Sequence, residues 1–179
     1  MTTPPALEEV SDADVKRAMA TISQALMADS VSLYLAAPGS EDSFHHAVMH
    51  SYLQSGQRQR FFHAADFGHG ALERLGHQPH LERLAEEHGG ALCVHFVGVH
   101  PERQGRGLGA ALLRHLCALA DAAAKHLYLE ASTPRSAALY ARHGFVGVAD
   151  KPLGGPGEEG APVLRVMVRP PSSVAVSSA

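Results

Sequence analysis

Residues 92–110 read LCVHFVGVHPERQGRGLGA, an apolar run that Pro101 interrupts and that resumes, after three alternate glycines, as a helix. Little else in the chain narrows its fold so far, because a strand must here hand its carboxyl end to a helix amino terminus through a turn with almost no side-chain bulk. Gln104, Gly105, Arg106, Gly107, Leu108, Gly109 and Ala110 then offer backbone N–H groups with few Cβ atoms in the way. A pyrophosphate fits such a surface. The positive end of the helix dipole favours its charge, and Arg103 and Arg106 add cations on either flank. Leu108, Leu112, His115, Leu116 and Leu119 recur on one face of the helix that follows.

The next segment repeats the pattern of strand, turn and helix. Leu127 to Glu130 reads as a short buried strand, and Pro134 opens a second helix that ends at His143. Ser132 or Thr133 can cap its start, and Gly144 suits a left-handed stop at its end. Tyr140 falls near that end. Strands over Phe145–Val148 and Val163–Val168, joined by a flexible loop over Gly154–Gly160, close the folded part. Residues 170–179, PPSSVAVSSA, read as a disordered tail.

These two segments together resemble the GNAT superfamily of acyl-CoA-dependent N-acyltransferases, whose pyrophosphate loop runs Q/R-x-x-G-x-G/A. Gln104, Gly107 and Gly109 fill it in order, and Leu129, Glu130, Tyr140, Gly144 and Phe145 match the later segment of strand, helix and Gly-Phe. Within that superfamily, LEASTPRSAALYARHGF and VLRVMVRP look most like the puromycin N-acetyltransferase group. The resemblance spans residues 91–170. It implies an α/β (α+β) fold with a central mixed, mostly antiparallel sheet flanked by helices, acetyl-CoA as cosubstrate, and a small-molecule or protein amine as acceptor. Length and a hydrophobic content of 45% set the expectation of one domain over residues 1–169 with its motif-bearing core at 91–169, as a monomer or homodimer.

Direct acyl transfer needs the thioester carbonyl held beside an amine, a donor for the oxyanion, and a proton for the departing thiolate. By resemblance, Val97, Gly98 and Val99 inherit the backbone contacts to the pantetheine arm and carbonyl, because the family's strand splays from its neighbour there. Tyr140 inherits the general acid's place, a role a phenol can fill since its pKa of about 10 keeps it protonated at neutral pH. Ser136 stands where puromycin-type relatives carry Asn; a hydroxyl can replace some of the amide's hydrogen bonds to the pantetheine, but not both donor and acceptor at once. The acceptor amine must shed a proton, its ammonium having a pKa of about 10.4. His95, which strict alternation places with Cys93, Val97 and Val99, and Glu130, at the end of the next strand, are the two candidate bases.

A dinucleotide site is the rival for the same loop, since Gly105, Gly107 and Ala110 spell G-x-G-x-x-A and Glu130 stands where a ribose-binding acid belongs. Five residues, His100 to Gln104, separate the strand from the first glycine, and no βαβ pattern precedes it. No lysine follows the glycines as a Walker loop requires. A non-catalytic acyl-CoA-binding module is the alternative from another class.

Composition excludes more than it selects. The chain of 179 residues has a formal net charge of -3 and no Lys/Arg cluster, which argues against nucleic-acid and anionic-membrane surfaces. Cys93 and Cys117, the only cysteines, lie in apolar segments and read as reduced core thiols; with no apolar run of membrane length, the cytoplasm is the expected compartment. Thirteen histidines include the pairs His46/His50 and His77/His80, but without cysteine or carboxylate partners at fixed spacing no metal is expected.

The first ninety residues carry weaker signals. Ser11 or Asp12 can cap a helix through Met27, and a second helical pattern runs over Asp42–Leu53. The family's two middle strands have only Arg60–Phe67 as a counterpart, and Ala71–His88 looks helical, so the hairpin is expected to be shortened or missing.

Overall fold

The computed structural model describes residues 15–36, 39, 79–155 and 158–172. In these, helices α1 (Val15–Leu26), α2 (Ser30–Leu35) and α3 (Pro79–His88) precede strand β1 (Ala91–Val94). A 3-10 turn over Pro101–Arg103, helix α4 (Leu108–Ala122), β2 (His126–Ala131), α5 (Pro134–Ala141), β3 (Val146–Pro152) and β4 (Val163–Arg169) follow. The expected caps near Ser11, the helix over 42–53, the strand over 60–67 and the tail over 173–179 lie outside the described residues.

The four strands of the described residues form one mixed sheet in the order β1-β2-β4-β3. β1 and β2 run parallel, Ala91 opposite His126 through Val94 opposite Leu129, while β4 runs antiparallel to both β2 and β3. This is the expected mixed, mostly antiparallel α/β sheet. It is not the all-parallel doubly wound sheet of a dinucleotide fold. A register shift between Gly147 and Ala149 interrupts the β3 ladder, as bulges do at sheet edges.

Side-chain alternation assigns each strand's residues to two cores. Leu127, Leu129, Ala131 and Met167 pack with Leu113, Cys117 and Ala120 of α4 and with Ala137 and Tyr140 of α5 on one face. Tyr128, Val166 and Ala91 pack with Leu84 of α3 on the other. Leu113, Leu127 and Leu129 are essentially removed from water, each burial contributing about 1.5–3 kcal/mol. Both cysteines are free thiols, Cys117 buried and Cys93 half-buried. Among the described residues no helix is long and apolar enough to cross a membrane.

The second segment folds as its caps dictate. Thr133 is the N-cap of α5: its hydroxyl accepts from the Ser136 N–H at 3.1 Å, and its own N–H donates to Ser136 Oγ at 3.2 Å, a reciprocal capping box with Pro134 behind it. Gly144 ends that helix at φ +87°, a conformation that suits a residue without a Cβ. At the sheet's far end Arg169 meets Asp121 of α4 through two hydrogen bonds of 2.8 and 2.9 Å, locking the last strand to the long helix.

Candidate active site

The pairing of β1 with β2 stops at Val94 and Leu129, although β2 runs on to Ala131. Beyond Val94 the chain leaves β2, and its alternation slips by one residue. Leu92, Val94 and Val97 all pack against the α4–α5 core, whereas unbroken period-two geometry would put Val97 with Cys93. A cavity of about 710 Å³ opens where the chain departs, and Val97 and Val99 form part of its lining. Gly98 lies between them against α1, where an added Cβ would come within 3.1 Å of Ala25 Cβ and the Ile22 backbone.

The glycine loop forms the next part of the wall. Gly105 and Gly107 adopt φ +74° and +79°, and Gly107 is the N-cap of α4 with no side chain capping the helix. The Gly107 carbonyl accepts the Ala111 N–H at 3.0 Å. The amides of Leu108, Gly109 and Ala110 precede that bond, so the helix itself offers them no acceptor. All three residues line the cavity. The loop is braced from within, because Gln104 Nε2 donates to the Val99 carbonyl at 3.1 Å and His100 Nδ1 accepts from the Glu102 N–H at 3.3 Å. The result is a fixed set of N–H donors at the positive end of a 15-residue helix, suited to an anion.

Helix α5 closes the opposite side with Ser136, Leu139 and Tyr140. Tyr140 is 9% exposed and tilted against Phe145, with ring centroids 5.9 Å apart. Its hydroxyl makes no hydrogen bond to the described residues. Burial, and then the negative charge of Asp29, push its pKa above the ordinary phenol value, so the hydroxyl is protonated throughout the neutral range. Ser136 Oγ donates to the Thr133 carbonyl at 2.9 Å, so this hydroxyl already serves the capping box.

Of the residues singled out from sequence, Val97, Val99, Arg103, Gln104, Gly105, Gly107, Leu108, Gly109, Ala110, Ser136 and Tyr140 are brought to one cavity. Gly98, Arg106, His95 and Glu130 are not among its lining. His95 falls in the stretch where alternation slips. Glu130 shares the face of Tyr128, opposite Tyr140; its Oε1 accepts from the Tyr128 hydroxyl at 2.8 Å and lies 3.7 Å from Lys151 Nζ. Burial and this carboxylate push the Tyr128 pKa upward, and the same two causes raise the Cys93 thiol to about 12.

Sequence reasoning missed Asp29, Arg135 and Arg142, which also line the cavity. Asp29 precedes a six-residue helix, too short to show a period; its only signal was an N-cap residue type before Ser30 and Val31. A second cleft, of about 700 Å³, lies between α5 and the β3–β4 hairpin. Its charged lining residues, Asp150 and Arg165, pair with each other at 3.0 Å.

The fold is shared with solved acetyltransferases of low sequence identity. A structure described as a histone acetyltransferase and related acetyltransferase from Corynebacterium glutamicum superposes with a TM-score of 0.60 at 24% identity, over 93% of this chain and 96% of that one. The Escherichia coli ribosomal-protein alanine N-acetyltransferase gives 0.52 at 20%, over 96% and 97%. The Drosophila melanogaster polyamine N-acetyltransferase gives 0.55 at 14%, over 88% and 95%. The sequence profile of the acetyltransferase (GNAT) domain matches residues 57–147, just over half of the chain, and takes in both the glycine loop and the Tyr140 helix. The chain therefore belongs to the GNAT acetyltransferase domain family.

Proposed function

We propose that this protein is an N-acetyltransferase that passes an acetyl group from acetyl-CoA directly to an amine, with Tyr140 as general acid. One observation carries the reading: a single cavity joins uncapped amides at the start of α4 to a protonated tyrosine hydroxyl that has no hydrogen-bond partner among the described residues. In this reading the pyrophosphate rests on the amides of residues 105–110, with Arg103 beside it. The pantetheine arm runs along Val97 and Val99, and Ser136 flanks it. The amine nitrogen attacks the thioester carbon, the C–S bond breaks, and the Tyr140 O–H gives its proton to the departing thiolate. The motif over residues 129–145 supports a puromycin-type subgroup, and residues 1–169 are read as one domain.

With His95 and Glu130 outside the lining, the amine's proton passes to water, and water returns a proton to the Tyr140 phenolate. Released thiol is the direct test. Amine-dependent coenzyme A release from acetyl-CoA is expected, with N-acetylated product by mass spectrometry. Calorimetric binding of coenzyme A with no turnover on any amine would replace this reading by a binding module, and binding of NADH but not coenzyme A would refute it.

A further inference from the structure

Among the described residues, Asp29 is the only carboxylate lining a cavity whose other charged lining residues are Arg103, Arg135 and Arg142. It is held by neutral donors alone. Its Oδ1 accepts from the Val31 N–H at 3.0 Å and the Ser32 N–H at 3.4 Å, and its Oδ2 accepts from Ser132 Oγ at 2.5 Å. Among the described residues it has no cationic partner. An ionised carboxylate has about four acceptor positions, and these donors take three of them. The remaining one belongs to a half-buried anion whose charge reaches Tyr140.

We propose that Asp29 is the acceptor-recognition residue, receiving an N–H of a cationic amine at the Tyr140 end of the cavity. This deepens the acetyltransferase reading and rests on it. The amide cradle and the arginines suit the phosphates of the donor, so the one fixed negative charge among the described lining residues is left to select the other substrate. A carboxylate there stabilises the acceptor as an ammonium, which must still release its proton before attack. Its effect therefore belongs in KM, and its selectivity is for amines that arrive charged.

Asp29→Asn removes the charge and keeps a good N-cap, so folding of α2 is preserved. The assay compares benzylamine, an ammonium near neutral pH, with O-benzylhydroxylamine, of similar shape and uncharged there. Asp29→Asn should raise KM for benzylamine by about tenfold or more while leaving O-benzylhydroxylamine and coenzyme A affinity within about twofold. Ser132→Ala, which removes the tether and keeps the charge, should retain the preference for benzylamine. Equal losses on both amines, or the same loss in Ser132→Ala, would make Asp29 a tether and overturn the inference. Wild-type turnover with no change in Asp29→Asn would overturn it alone; a wild type that binds coenzyme A and turns over no amine would remove it together with the acetyltransferase reading.

Discussion

Replacing Tyr140 by Phe is the sharpest test of the proposed chemistry, because the structure separates its two consequences. The ring is 9% exposed and contributes to the α4–α5 core beside Phe145. Phe keeps that ring and deletes only an oxygen that makes no hydrogen bond to the described residues. No buried partner is orphaned, so the stability change is expected within about 0.5 kcal/mol, an ordinary non-disruptive substitution. Chemistry is another matter. A positioned general acid is worth about 10²–10⁴ in rate, or roughly 2.7–5.4 kcal/mol of barrier. With acetyl-CoA and amine saturating, kcat should fall by at least about a hundredfold while the coenzyme A dissociation constant stays within about twofold.

A second donor isolates the step. An aryl thioester of acetic acid leaves as a stable thiolate, so its transfer should lose far less in the variant than transfer from acetyl-CoA. The wild-type pH profile adds a sign. An acid works in its protonated form, and the Tyr140 pKa lies above the ordinary phenol value, so its alkaline limb must fall above about pH 10. Unchanged kcat or equal losses on both donors would refute the assignment, whereas a limb below that pH that disappears in the variant would overturn the raised pKa and keep Tyr140 as the acid.

Three further predictions concern the frame around the cavity. Gly107→Ala should cost about 1–2 kcal/mol from its left-handed backbone alone, since an added Cβ at φ +79° meets nothing within 4 Å; thermal unfolding reads the cost, and calorimetry should show weaker coenzyme A binding. Gly98→Val should destabilise by about 1–3 kcal/mol by forcing α1 away from the Val97–Val99 segment, an outcome that denaturant unfolding checks. Asp121, held near a pKa of about 2 chiefly by its hydrogen bond to Arg169, contributes stability that is full above the unfolded carboxyl value near 3.8 and is lost as pH falls toward 2, worth about 1–2 kcal/mol. Asp121→Asn should flatten the unfolding profile over that window, and an unaltered slope would exclude the pair as its source.

The elements legible in the sequence were those whose boundaries carry their own chemistry. Gly107 and Gly144 needed φ values that other residues resist, Ser132 or Thr133 with Pro134 offered a helix start, and α4 was long enough for its period to show. What stayed hidden was set by tertiary contact. The alternation from Cys93 to Val99 looked continuous, so His95 was aligned with the cavity; the ladder stops at Val94 because β1 and β2 part there, and nothing in a row of apolar residues announces that a strand has lost its neighbour.

Glu130 shows the same limit from the other side. Its place at the end of a strand was readable, but its face was fixed by Tyr128 and Lys151, which arrive from one strand turn away and from a different hairpin. Asp29 is the converse case: a residue of ordinary N-cap type gains a different meaning because Ser132, 103 positions later, holds it in the wall of the cavity that Tyr140 also lines. Chemistry on a strand or helix can be nominated from sequence when its motif is contiguous. A cavity wall built from a six-residue helix, a splayed strand and a capped helix has no contiguous motif, and the choice of acceptor is written there.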